Sequence, residues 1–104
     1  MLIVEGWVRL ESPGEVDRLR TAAIAMMTAT KSEEPGCLEY AYAIDLANPT
    51  LLRIIERWKD EAALTAHFAT PHMAAFGRAM ADAKIVGASI KAYSGEVVRT
   101  LMES

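Results

Sequence analysis

The sequence predicts an α+β domain, an antiparallel sheet carrying helices on one face. Three observations predict it. Leu2–Leu10 and Cys37–Ile44 alternate between two faces with the period of a strand. Val16–Thr30 and Met73–Met80 instead place apolar residues at helical spacing. Turn and capping signals at Ser12-Pro13, Pro35-Gly36, Asn48-Pro49, Asp60 and Thr70-Pro71 separate these segments. At 104 residues the chain makes a single domain, residues 1–104.

In Leu2–Leu10, the residues Leu2, Val4, Gly6, Val8 and Leu10 share the face that belongs on a core. Ile3, Glu5, Trp7 and Arg9 share the other, where Trp7 suits a pocket or a partner subunit. Ser12-Pro13-Gly14-Glu15 reads as a capping box with proline at the first helical position. Val16, Leu19, Ala23, Met26 and Thr30 form the buried face of a helix to about Lys31. After the Glu34-Pro35-Gly36 turn, Leu38, Tyr40, Tyr42 and Ile44 share one strand face, opposite Cys37, Glu39, Ala41 and Ala43. Two tyrosines on one face offer an apolar wall with two polar tips, suited to an aromatic substrate. Asp45–Thr50 forms the loop of an antiparallel hairpin.

Chemistry concentrates between Leu51 and Met80. The β-branched run around Ile54-Ile55 reads as a strand ending at Glu56-Arg57-Trp58. Alternation sets Arg53 on the face opposite Glu56 and Trp58. Asp60 caps a short helix to His67, and Thr70 with Pro71 starts a second. His72 therefore lies in a first helical turn, where the macrodipole disfavours imidazolium, and His67 at a helix end, where the sign reverses. Ala83–Gly87 is a connection, and Ala88–Met102 is a long last strand, apolar on both faces, that suits exchange with a second subunit.

The order is then β-α-β-β-α-α-β, a ferredoxin-like split βαβ arrangement. It leaves one sheet face bare, and a second copy would cover it, giving a homodimer.

Composition narrows the function. A net charge of −3 without a basic stripe disfavours nucleic acid. No apolar run is long enough to span a membrane, and the first residues lack the charged start of a signal peptide. Cys37 is the only cysteine, which excludes an internal disulfide and fits a reducing cytoplasm. No nucleotide-binding glycine motif or P-loop is present, so no cofactor is expected. No metal is expected either, because a proline separates the two histidines and no carboxylate stands at ligand spacing in sequence.

Glu34-Pro-Gly-Cys-Leu-Glu-Tyr40, the strand end Glu56-Arg-Trp58 and Ala66-His67-Phe-Ala-Thr-Pro-His72 together resemble the antibiotic biosynthesis monooxygenase (ABM) family. The resemblance implies a homodimeric α+β barrel and cofactor-free oxidation of quinols or polycyclic phenols by dioxygen.

Such a reaction needs a base, a donor for the developing oxyanion and a dry aromatic cavity. His72 is the candidate base and His67 the alternative. Arg53 or Tyr40 would stabilise the anion, Trp58 and Tyr42 would line the cavity, and Trp7 is a further candidate contact. A non-catalytic dimeric small-molecule binding protein is the alternative function. Haem degradation fits less well: relatives with that activity carry an asparagine where this chain has Trp7, a tryptophan near His67 and a histidine near Gly77.

Overall fold

The computed structural model describes all 104 residues. Strand β1 (Leu2–Leu10) leads to helix α1 (Pro13–Glu33), then to strands β2 (Cys37–Ile44) and β3 (Leu51–Trp58). Helices α2 (Glu61–His67) and α3 (Pro71–Ala81) and strand β4 (Ile85–Ser94) complete the chain in the predicted order. The sheet runs β2-β3-β1-β4 with every pairing antiparallel, the ferredoxin-like α+β arrangement. No helix is long and apolar enough to cross a membrane.

Alternation places the core. Val4, Val8 and Leu10 of β1 and Leu52, Ile54 and Trp58 of β3 are buried beneath the helices, while Arg53, Ile55 and Arg57 face away. On α1 the buried face is the predicted Val16, Leu19, Ala23, Met26 and Thr30. Each large apolar side chain buried in this way contributes roughly 1.5–3 kcal/mol. One core cluster gathers Val4, Tyr40, Trp58 and Phe76 at the end of the sheet where α2 and α3 lie, which is the end that holds the site.

Four features differ from the sequence expectation. Helix α1 continues to Glu33 rather than stopping near Lys31. Its capping box does not close: Ser12 makes no side-chain cap, and Glu15 turns inward to accept the Lys84 backbone N–H at 3.1 Å. A donor in the connection before β4 competes for that carboxylate, and a buried donor left unpaired is costly. On β2 a bulge between Cys37 and Glu39 breaks the alternation. It turns Leu38 out to solvent, and Cys37 packs on the core beside Tyr40 and Tyr42.

The last strand is also shorter than expected, Ile85–Ser94 rather than Ala88–Met102. At the end of its ladder Leu2 pairs Ser94, and the Met1 carbonyl accepts the Gly95 N–H at 3.0 Å. Beyond that point Val97, Val98, Leu101 and Met102 are exposed.

Candidate functional site

The polar groups of the site are placed by local rules. Asp60 accepts the Ala63 N–H at 2.9 Å and starts α2, whose last residue is His67. The Thr70 hydroxyl donates to the His67 carbonyl at 2.8 Å and accepts the Met73 N–H at 3.2 Å, so one side chain ends α2 and begins α3. Glu34 leaves the end of α1 at the turn into β2. Gly36 in that turn lies so close to α2 that a Cβ there would come within 2.4 Å of the Ala63 Cβ. Only glycine permits this approach, and the approach carries Glu34 to the helices.

Glu34 joins the two histidines. Its Oε2 lies 2.7 Å from His67 Nδ1 and 2.6 Å from His72 Nε2. A carboxylate only accepts, so both ring nitrogens donate their protons to it. In the neutral ring that bond selects the Nδ1–H tautomer of His67, with Nε2 as the acceptor nitrogen.

The sequence, which offers no carboxylate at ligand spacing, thus missed the partner that the fold supplies in Glu34. The three ligand atoms lie within 4.8 Å of one another, a set of two imidazoles and one carboxylate. As arranged, the hydrogen bonds already satisfy them, and a cation would have to draw the two nitrogens together about itself.

His67 lines a cavity of about 490 Å³ between the sheet and the helices α2 and α3. Tyr40, Tyr42, Phe76, Met73 and Leu64 belong to its apolar wall, and Glu56 is its carboxylate. The Tyr40 and Tyr42 hydroxyls lie 2.5 Å apart. Their mutual bond uses one proton, so the other remains for a ligand oxygen. Burial holds both phenols well above the usual tyrosine range, so they act as neutral donors. Burial also raises the Glu56 carboxyl, against the hydrogen bond from the Trp58 indole at 2.8 Å.

The remaining candidates divide. Trp58 is fully buried behind the cavity, its indole 4.8 Å from the His67 ring and 6.2 Å from Tyr40. His72 lies outside the cavity, in a groove between α1 and α3 beside Met26 and Ala75. Arg53 and Trp7 sit on the open sheet face, where their Cα atoms are paired across β3 and β1. Arg53 is bound to Asp45 at 2.8 Å, and the Arg9 guanidinium lies 5.1 Å from the Trp7 ring centre. Both are thus separated by the sheet from Tyr40, Tyr42 and His67.

Sequence reasoning left Glu34 and Glu56 without a role. For Glu56 a signal existed, since a lone carboxylate on the core face of a strand needs a partner. For Glu34 none existed, because its partners lie 33 and 38 residues away.

An antiparallel ferredoxin-like sheet with an aromatic cavity under its two short helices defines a class of small α+β proteins. Residues 1–79 match the model of the family Antibiotic biosynthesis monooxygenase, and the chain belongs to that family. A proposed antibiotic biosynthesis monooxygenase from Deinococcus radiodurans superposes with a TM-score of 0.86 at 27% identity, over 99% of this chain and 100% of its own. The protein PA3566 of Pseudomonas aeruginosa superposes with a TM-score of 0.79 at 26% identity, over 92% of this chain and 94% of its own. The protein sll1783 of Synechocystis is 27% identical over 96% of this chain and 67% of its own length.

Proposed function

We propose that the protein is a cofactor-independent monooxygenase that oxidises a quinol or polycyclic phenol with dioxygen. Family membership and the neighbours' descriptions support the general class. The observation that carries the finer reading is His67, a tautomer-locked imidazole on the wall of an aromatic cavity.

His67 Nε2 takes the proton of the phenol, and the free hydroxyl of the Tyr40–Tyr42 pair donates to the oxygen that becomes anionic. The phenolate then passes one electron to dioxygen, and the two radicals combine at a ring carbon that carries hydrogen. Loss of water leaves a quinone: one oxygen atom enters the ring, and the other leaves in water with the ring and hydroxyl hydrogens. His67 replaces His72 as the base in this reading because only His67 borders the cavity.

The working unit is a homodimer. Ile55 and Tyr93 are exposed on the open sheet face beside Trp7, and the apolar residues of the tail have no cover within one chain. A second copy laid against that face would form the barrel. Oxygen uptake across a panel of quinols and naphthols tests the activity. Turnover that falls a hundredfold or more in His67→Ala, in the range that general bases contribute, supports it. Ligand binding without oxygen uptake would leave a binding protein instead.

A further inference from the structure

The proposed proton transfer makes no use of Glu56, the one carboxylate on the cavity wall. Its side chain is buried, 7% exposed, on the core face of β3 opposite Tyr40. One oxygen, Oε1, accepts the Trp58 indole N–H at 2.8 Å. That indole is fully buried, so the pair cannot swing away together. The other oxygen makes no hydrogen bond within the protein, yet no buried polar atom is left without a partner. Oε2 is therefore open to the cavity.

Of the ionisable neighbours of Glu56, His67 on the same wall favours the charged carboxylate and Glu34 opposes it; the rest of the wall supplies no counter-charge. Met73, Phe76, Leu64 and Val4 are apolar, and the tyrosines are neutral. Lys91, at the cavity edge, pairs with Glu5 in the β1–β4 ladder, and strand alternation directs its side chain to the open face, away from Ile90 and Ala92. A buried acceptor in an apolar wall favours a ligand that brings a donor and disfavours one that brings a second negative charge.

We propose that Glu56 is the specificity-determining residue of this cavity: it accepts a hydrogen bond from a hydroxyl or N–H of an uncharged aromatic ligand and rejects ligands that carry a carboxylate there. The inference rests on the cavity being the ligand site, as in the function proposed above. It does not require that the ligand be oxidised.

The test is equilibrium binding under argon near neutral pH, by calorimetry, with 2-naphthol, 2-methoxynaphthalene and 2-naphthoate as probes. The wild-type protein should bind 2-naphthol about tenfold or more tightly than either of the others, the ratio expected for one buried hydrogen bond. In Glu56→Gln, checked for folding by circular dichroism, the amide offers a donor, and the preference over 2-naphthoate should shrink to about threefold or less. Equal binding of 2-naphthol and 2-methoxynaphthalene by the wild type overturns the proposal, and needs no variant. So does an unchanged ratio in folded Glu56→Gln, or no binding of any probe. Oxygen uptake is measured separately, so selective binding without turnover would sink the oxidation and leave the role of Glu56 standing.

Discussion

His67 Nδ1 lies 2.7 Å from Glu34 Oε2, a bond between residues 33 apart that ties the last turn of α2 to the end of α1. The same oxygen holds His72 on α3, so one carboxylate anchors both short helices that roof the cavity. The bond orients the ring proposed above as the base and fastens a roof, and the two roles can be separated by measurement.

The tautomers come first. Long-range proton–nitrogen NMR spectra should show His67 as Nδ1–H and His72 as Nε2–H in the neutral protein. Finding the proton on Nε2 of His67 would remove that nitrogen as the base. Glu34→Gln should release both tautomers and cost about 1.5–3 kcal/mol in urea denaturation, as loss of a hydrogen bond to a charged group does.

Gly36→Ala probes how Glu34 is delivered. The added methyl would stand 2.4 Å from the Ala63 Cβ, so the turn must move away from α2. A loss of about 1–3 kcal/mol, the usual cost of overpacking, should accompany weakened Glu34–His67 contact in the same NMR spectra. The double variant Gly36→Ala/Ala63→Gly should recover most of both. A Gly36→Ala protein as stable as the parent would show that the close approach is dispensable.

Trp58→Phe removes the indole N–H from Glu56 and leaves space behind His67. Thermal unfolding should show a loss of about 1–3 kcal/mol, combining an unpaired buried acceptor with a partly filled cavity. Since Trp58 backs the cavity, ligand affinity should change less than stability.

Glu56 also gives the protein a pH signature. Its carboxyl is raised above the ordinary 4.5 by burial, so the folded state holds the proton more firmly than the unfolded chain. The associated stability is present below about 4.5 and is lost as pH rises through the folded value. Replacing Glu56 by glutamine should therefore flatten the fall in stability above pH 4.5, the ordinary value, in denaturation curves collected across that range. An unaltered pH profile would mean that Glu56 is as well solvated as an exposed carboxylate.

Assembly has its own test. Light scattering at micromolar concentration should give a dimer. Removing the residues after Glu96 should leave the fold intact, since Val97, Val98, Leu101 and Met102 contribute nothing to the core of one chain. The truncated protein should nevertheless associate more weakly. A stable full-length monomer would contradict the homodimer.

Local rules let the sequence by itself determine the element order, the buried face of α1, the caps at Asp60 and Thr70, and the opposite faces of Arg53 and Trp58. Each depends on residues within a few positions of one another, where the pitch of a helix or the alternation of a strand fixes direction. Only the tertiary structure decided that Glu34 meets both histidines, that His67 rather than His72 borders the cavity, and that Glu56 faces into it. It also decided that Glu15 serves Lys84 and that a bulge turns Cys37 inward. These arrangements arise from packing between elements distant in sequence. There a buried donor or acceptor takes whichever partner the fold brings within reach, and no periodicity in the chain records which one that is.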